Sequence, residues 1–221
     1  MIVNFKTYSE GTGRRALELS RSLSDVQRET GVHLIVAPQA TDISSVCQHV
    51  EIPVFAQHID PQPQGAHTGH VTPEAVKESG GSGALLNHSE NQLELSVIQE
   101  SIVRARNVGL TSVVCANNAS VATACAALKP DMVAVEPPEL IGTGIAVSKA
   151  RPEIVTDTVA HIRKVNTDVV ILCGAGIAEA QDASSALELG TQGILISSAV
   201  VKARDPRRVA LDLAHAMSRR F

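Results

Sequence analysis

The chain contains very few aromatic residues. They make up 2% of its 221 residues, and tryptophan is absent. The core therefore has to be built from Val, Ile, Leu and Ala, which is typical of a buried parallel sheet covered by helices. Apolar residues still account for 44% of the chain and charged residues for 19%, so enough apolar material is present for a large core.

A strong net charge and a long apolar run are also missing. The net charge is −4, which gives no reason to expect nucleic acid or a membrane surface as a partner. No apolar run approaches the roughly 20 residues that a transmembrane helix needs. The first six residues lack the basic and apolar regions of a signal peptide. We therefore expect a cytoplasmic protein.

The cysteines are not spaced in pairs. Cys47, Cys115, Cys125 and Cys173 lack a C-x-x-C spacing and mostly lie in apolar segments. We expect buried thiols in a reducing cytoplasm, because neither a disulfide framework nor a zinc site fits this spacing.

Short apolar runs alternate with segments of helical periodicity along the whole chain. The apolar runs predict strands at 1–5, 33–37, 53–57, 84–87, 111–115, 132–135, 169–173 and 193–196. The periodic segments predict helices at 14–30, 40–49, 72–78, 92–108, 120–128, 153–165, 178–189 and 206–217. Successive strands end roughly 27 residues apart, which is about one βα unit.

This repeated order predicts a single (β/α)8 barrel domain over residues 1–221. A doubly wound open sheet is the alternative. It is disfavoured because such sheets commonly have fewer strands and because the G-x-G-x-x-G turn is missing after the first strand. In a barrel, every residue that directly follows a strand lies at the rim where barrel active sites are found.

The predicted strand 132–135 ends in an acid and two prolines. Proline cannot continue a sheet ladder, so the strand has to stop at Glu136, before Pro137 and Pro138. The loop 141–144 follows and contains two glycines that are free to adopt positive φ. This order predicts a carboxylate base at the lip of the sheet, under a closing lid. The alternative is a solvated glutamate and an ordinary turn.

Two further polar groups follow the first and fourth strands. Lys6 carries a compact ammonium that suits an anionic substrate, although most lysines are simply solvated. His88 is expected at a helix N-terminus capped by Ser89 or a neighbour, where the helix dipole lowers its pKa and favours the neutral ring. The alternative is that His88 only helps to cap the helix. Glu90 is placed to pair with Lys6 or with His88.

Small residues follow the last two strands. Residues 174–176 read Gly-Ala-Gly, and residues 197–198 are both serine. Such loops let backbone amides point at an anion, and barrels often bind phosphate at this place. Together with Lys6, His88 and Glu136, they supply a cation, a neutral donor, a carboxylate and a phosphate cradle at one rim.

These motifs resemble the triosephosphate isomerase family. They occur in the family's order along almost the whole chain: Asn4-Phe5-Lys6, His88-Ser89-Glu90, Val135-Glu136-Pro137, Ile141-Gly142-Thr143-Gly144, Gly174-Ala175-Gly176 and Gly193-Ile194-Leu195-Ile196-Ser197-Ser198. The serine pair, the Pro138-Glu139-Leu140 hinge, Asn117-Asn118 after the fifth strand and the short chain all resemble the archaeal branch. The resemblance to that branch, with its short barrel, implies a protein that forms tetramers.

The resemblance implies interconversion of D-glyceraldehyde 3-phosphate and dihydroxyacetone phosphate through an enediolate, in glycolysis and gluconeogenesis. No metal and no organic cofactor are then needed. By the same resemblance, Glu136 is the base, His88 the neutral electrophile and Lys6 the cation, while Glu90 is the carboxylate near the lysine. The substrate-binding residues that the resemblance implies are Asn4, Lys6, Ile141, Gly142, Gly176, Ser197 and Ser198.

Two alternatives to this function remain open. Phosphoribosyl isomerases are similar in the last two loops, but they depend on an acid after the first strand, where this chain has Lys6. A catalytically inactive barrel used for assembly would have lost one of the three reactive groups, and none is lost. A coupled assay with glyceraldehyde 3-phosphate separates the three possibilities.

Several histidines lie in the predicted loop after the third strand. His58, His67 and His70 lie near Asp60, but their spacing fits no standard metal site. In the family that the chain resembles, this loop reaches into a neighbouring subunit. We therefore expect a homo-oligomer interface here, with a tetramer favoured over a dimer.

Overall fold

The predicted strands are all present in the structure, a computed structural model that describes residues 1–136, 152–174 and 176–218. The predicted lid and the binding residues Ile141 and Gly142 lie outside the described residues. The strands are Ile2–Asn4 (β1), Ile35–Ala37 (β2), Phe55–Ala56 (β3), Gly83–Leu86 (β4), Thr111–Ala116 (β5), Met132–Val135 (β6), Val170–Cys173 (β7) and Gly193–Ile196 (β8).

Helices are present in all eight segments that the periodicity predicts, and a further short helix, Ser198–Val201, lies outside them. Those within the described residues are Arg14–Thr30 (α1), Ile43–Cys47 (α2), Pro73–Glu78 (α3), Leu95–Asn107 (α4), Ala119–Ala127 (α5), Pro152–Val165 (α6), Ala180–Glu188 (α7), Ser198–Val201 (α8) and Pro206–Ser218 (α9), with 3-10 turns at Ser9–Gly11 and Ala40–Asp42. None of these helices is long and apolar enough to cross a membrane.

Several helix boundaries follow directly from local chemistry. Helix α1 ends at Gly31, whose φ of +72° is costly for residues with a side chain. The Thr72 hydroxyl accepts the Ala75 N–H at the start of α3, and Pro73 occupies the first helical position. The Asn118 side chain accepts the Val121 N–H at 2.9 Å at the start of α5.

All strand pairs in the described residues are parallel, in the order β2-β1-β8-β7-β6-β5-β4-β3. The two ends of this order meet, because Val36 of β2 forms a bridge with Val54 and its N–H donates to Pro53 O at 3.1 Å. The sheet is therefore a ring, which confirms the (β/α)8 barrel and shows that the open doubly wound alternative is wrong.

The barrel interior is filled by aliphatic side chains, one Phe and one Cys. Every strand contributes to this cluster, which consists of Ile2, Ala37, Phe55, Leu85, Val113, Cys115, Ala134, Leu172 and Leu195. A Cβ at Gly83 would lie 2.6 Å from the Phe55 ring, so a glycine leaves room for the ring. The larger cluster lies between the strands and the helices. Because the interior is solid, a ligand site has to lie at a rim of the barrel.

Candidate active site

Glu136 directly follows β6 and is almost fully buried. Its N–H continues the sheet by donating to Ala116 O at 2.8 Å, and the residue is only 3% exposed. Its side chain packs over Gly174 at the end of β7, where a Cβ would lie 2.6 Å from Glu136 Cγ. The carboxyl group therefore occupies space that only a glycine at position 174 leaves open.

Burial raises the pKa of Glu136 to about 7. The Cys115 thiol, which donates to the carboxylate, and the positive charge of Lys6 oppose this rise. Among the described residues, Glu136 Oε2 has no hydrogen-bond partner. A carboxylate with a raised pKa and an unengaged oxygen is suited to accept a proton near neutral pH.

His88 belongs to the loop after β4 and lies beside Glu136. Its Nε2 is 3.6 Å from Glu136 Oε1, and its Nδ1 accepts the Glu90 N–H at 3.2 Å. Burial lowers the pKa of His88 and the charge of Lys6 lowers it further, against the effect of Glu90. The ring is therefore neutral with its proton on Nε2, and the contact with Glu136 is not an ion pair.

The expected cause of the lowered His88 pKa was wrong. Helix α4 begins at Leu95, with Glu94 as its N-cap, and not near Ser89. The intervening backbone is held differently: Asn91 N–H donates to His88 O at 2.7 Å, and Leu93 N–H donates to Asn87 Oδ1 at 2.8 Å. The residues after β4 form a turn, and burial rather than a helix dipole keeps the ring neutral.

Lys6 extends from the end of β1 into the same space. Its Nζ lies 2.6 Å from Glu90 Oε1, and the lysine side chain is only 11% exposed whereas that of Glu90 is 58% exposed. The Lys6 N–H donates to the buried Asn4 Oδ1 at 2.9 Å. Of the two partners that the sequence left open for Glu90, Lys6 is the closer, because His88 Nδ1 lies 3.7 Å from Glu90 Oε2.

A cavity of about 330 Å³ brings the predicted residues together. It is lined by Asn4, Lys6, Tyr8, His88, Glu136, Gly174, Gly176, Ile177, Ala178, Leu195, Ile196, Ser197, Ser198 and Ala199. Ser197 Oγ is buried and has no hydrogen-bond partner among the described residues. The cavity therefore combines an acid–base end around Glu136 with an end of small residues that suits an anion.

Two of the histidines after β3, His58 and His70, contact a carboxylate, and the third, His67, lies edge to face with the His70 ring. Asp60 Oδ1 lies 3.1 Å from His58 Nε2 and 3.2 Å from His70 Nδ1, and Asp60 Oδ2 accepts the Val71 N–H at 2.7 Å. Within the described ranges, no group of three or more His, Cys, Asp or Glu side chains is placed to hold a metal ion. Asp60 instead ties the two ends of this loop together.

The sequence did not identify three neighbours of the reactive groups. Cys115 was interpreted only as a buried thiol, yet it faces Glu136 across the β5–β6 pair, in register with Ala134. The pattern indicates Gly174 only as part of a loop of small residues that suits an anion, and it does not point to Tyr8. The alternation of β5, in which Val113 and Cys115 point into the barrel, was the available signal for Cys115.

The fold and the site together define a (β/α)8-barrel enzyme with an acid–base centre at the C-terminal rim. The sequence model of the triosephosphate isomerase family matches residues 1–217, and the chain belongs to that family. It is therefore an isomerase, and the function predicted from the sequence, the interconversion of triose phosphates in glycolysis, is confirmed. This membership removes the phosphoribosyl isomerase alternative.

The chain is similar to archaeal relatives over almost its full length. It is 48% identical to a triosephosphate isomerase of Methanosarcina acetivorans over 213 residues, which are 96% of each chain. It is 50% identical to that of Methanobacterium bryantii and 47% identical to that of Methanocaldococcus jannaschii, again over 96% of this chain and over 94% and 97% of theirs. The resemblance to the archaeal branch is confirmed.

Proposed function

We propose that the interconversion of D-glyceraldehyde 3-phosphate and dihydroxyacetone phosphate takes place in the cavity beside Glu136, by proton transfer through an enediolate. The observation that carries this proposal is the convergence of three groups from separate strands. Lys6, His88 and Glu136 follow β1, β4 and β6, and all three line one cavity of about 330 Å³. A triose phosphate is small enough to touch all three at once.

In the proposed reaction, Glu136 removes a proton from the carbon next to the carbonyl and returns it to the neighbouring carbon. The electron pair of the broken C–H bond forms the C=C bond of the enediolate while the carbonyl π pair moves to the oxygen, so negative charge develops there. The proton of the neighbouring hydroxyl group then passes to that oxygen, which leaves the other oxygen as the new carbonyl when the carbon is reprotonated. His88 Nε2–H donates to that oxygen, and the Lys6 ammonium stabilises the same charge. A neutral imidazole suits this role because Glu90 N–H occupies its Nδ1.

The phosphate group is proposed to bind at the other end of the cavity. Gly176, Ser197 and Ser198 line that end, and Gly176 adopts a φ of +70°. Ser197 Oγ is buried and unpartnered among the described residues, so an incoming phosphate oxygen satisfies it. Asn4 is proposed to orient the substrate.

The loop 141–144 is proposed to close over this cavity, with Ile141 and Gly142 contacting the phosphate. The two glycines of this loop, which are free to adopt positive φ, support the closure. The chemistry requires such a lid, because an enediolate exposed to water would lose its phosphate.

The chain is further proposed to be a single cytoplasmic domain that assembles as a homotetramer in preference to a dimer. The loop between β3 and α3 supports assembly: residues 63–70 are all exposed, while Asp60 and the contact from Arg104 to Gln62 O hold its base. We expect light scattering to give four times the mass of one chain. A monomer at working concentration contradicts the interface.

We expect kcat/KM in a coupled assay with glyceraldehyde 3-phosphate to fall about tenfold per pH unit below about pH 7. The physical reason is that only the ionised Glu136 carboxylate accepts a proton, and burial has raised its pKa to about 7. The measurement is kcat/KM from about pH 5 to about pH 9, with the coupling enzyme in excess.

The substrate phosphate also titrates, with a pKa of about 6. A control therefore has to separate the effect of the phosphate on the pH profile from that of Glu136. Cys115→Val removes the thiol that lowers the pKa of Glu136. It should therefore move only the Glu136 part of the profile, to higher pH. A profile that is flat down to about pH 5 contradicts Glu136 as the base.

A further inference from the structure

Lys6 has an unusual backbone conformation for a residue with a side chain. Its φ is +48°, in the left-handed region that residues other than Gly, Asn and Asp rarely adopt. Such a conformation persists only when the surrounding structure over-determines it. Since the direction of the Cα–Cβ bond depends on this angle, whatever holds the backbone of Lys6 also aims its ammonium into the cavity.

Two side chains hold the backbone of Lys6. Asn4 Oδ1 accepts the Lys6 N–H at 2.9 Å. Gln57 Nε2 donates to the Lys6 carbonyl oxygen at 2.8 Å. The N–H and the C=O of the strained residue are therefore each bound by a side chain, one from its own strand end and one from the end of β3.

Gln57 also binds β2, the strand that lies between β1 and β3 in the ring. The same Nε2 donates to Ala37 O at 2.9 Å, at the end of β2. The β2–β3 pairing is short in this barrel, and within the described residues it consists of the isolated bridge between Val36 and Val54. One amide group thus fixes Lys6 relative to the two strands at the closing seam of the ring.

We propose that Gln57 is a positioning residue that holds Lys6 in its left-handed conformation and so directs the ammonium toward the substrate. Gln57 does not line the cavity, so it acts through Lys6 and not by touching substrate. The inference rests on the proposed function, in which Lys6 stabilises the developing negative charge. Without the bond from Gln57, the Lys6 backbone relaxes toward negative φ and its side chain turns away from Glu90.

The test is Gln57→Met, which keeps the length of the side chain and removes both donated hydrogen bonds. We expect kcat/KM for glyceraldehyde 3-phosphate to fall between about 10-fold and 100-fold, because a misplaced catalytic group costs this much even when the fold is intact. Gln39→Met is the matched control, since Gln39 Nε2 donates to Thr12 Oγ1 at 2.8 Å and not to Lys6. It should change kcat/KM less than about twofold.

A double-mutant cycle with Lys6→Met separates positioning from a general effect on the fold. If Gln57 acts through Lys6, adding Gln57→Met to Lys6→Met lowers kcat/KM by less than about twofold further. If the two losses multiply, Gln57 acts by another route and the proposal is overturned. An unchanged kcat/KM in Gln57→Met overturns it as well.

The cycle also keeps the two proposals distinguishable. Full activity of Lys6→Met alone contradicts the role of Lys6, whatever Gln57 does, whereas absence of isomerase activity in the unsubstituted chain contradicts the proposed function. Binding of 2-phosphoglycolate, a charged mimic of the enediolate, provides a second readout, and Gln57→Met should weaken it only when Lys6 is present. If circular dichroism shows that Gln57→Met is unfolded, Gln57→Asn takes its place in the same cycle, because its amide is one methylene too short to reach both carbonyls.

Discussion

Glu136→Gln is expected to lower kcat by about 10³-fold to 10⁴-fold while the protein remains folded. The amide has nearly the shape of the carboxyl group but cannot accept the substrate proton, and a positioned base contributes about this much. The space beside Gly174 that accepts the carboxyl group also accepts an amide of the same size. The measurement is kcat in the coupled assay, at an enzyme concentration high enough to detect the residual rate.

The same substitution is expected to stabilise the protein at alkaline pH. The pKa of Glu136 rises from an ordinary 4.5 to about 7 on folding, because the buried carboxylate loses water. A raised carboxyl pKa gives stability that is fully present below about 4.5 and is lost as the pH rises through about 7. At about pH 8, ionisation of the buried Glu136 therefore lowers the free energy of unfolding by about 3 kcal/mol. A neutral glutamine avoids this loss.

Urea unfolding at about pH 8 and about pH 5 tests whether the substitution stabilises the protein more at alkaline pH. The gain in free energy of unfolding for Glu136→Gln should be larger at the higher pH. Glu18→Gln is the control, because Glu18 pairs with Arg14 on the exposed face of α1 and should change neither kcat nor the pH dependence. Near-normal kcat in Glu136→Gln would remove the carboxylate from its proposed role.

The positions of the strands were readable from the sequence, whereas the contacts between their ends were not. Apolar runs and Pro137 located β6 and the acid that follows it, and the βα repeat then placed Lys6, His88 and Glu136 on one rim. All parallel strands of a barrel end on the same side, so the residues that follow them share one rim whichever strand ends touch.

Contacts across strands depend on register, which the sequence pattern does not encode. Cys115 reaches Glu136 because β5 and β6 are staggered so that Cys115 lies opposite Ala134. Gln57 reaches Lys6 because β3 closes the ring beside β2, although 51 residues separate the two along the chain. The alternation of β5 turns Cys115 into the barrel, but no local periodicity identifies Glu136 as the partner of Cys115 or Lys6 as the partner of Gln57.

The start of α4 was predicted too early for a related reason. Periodicity favoured a helix from residue 92, but the Asn87 side chain accepts the Leu93 N–H and competes with helical pairing there. Asn87 itself adopts a φ of +57°. The segment that carries His88 is therefore shaped by one side-chain hydrogen bond, and the neutral state of the ring follows from burial.

Lys6→Met is expected to lower kcat/KM by about 10³-fold, near the upper end of what removal of one preorganised donor costs. Part of the loss is direct, because the ammonium no longer faces the developing oxyanion. Part is indirect, since the charge of Lys6 lowers the pKa of both Glu136 and His88. Without it both pKa values rise, so the base is protonated over a wider pH range and the imidazole is more readily charged.

The fold should tolerate this change. Glu90 loses its partner, but its side chain is 58% exposed and water replaces the ammonium. Lys202→Met is the matched control. Lys202 Nζ lies 5.0 Å from the centre of the Tyr8 ring, and Lys202 does not line the cavity. This substitution therefore removes an equal charge near the same rim. We expect less than about a tenfold loss there, because an exposed charge is screened.

Comparable losses in Lys6→Met and Lys202→Met would mean that net charge attracts the substrate and that the position of Lys6 has no special role. A pH profile of Lys6→Met distinguishes the two contributions further. If the indirect effect is present, the acid side of its kcat/KM profile moves to higher pH than in the parent chain. The position of the ammonium, which its left-handed backbone determines, thus controls both the charge facing the substrate and the protonation states of the two groups beside it.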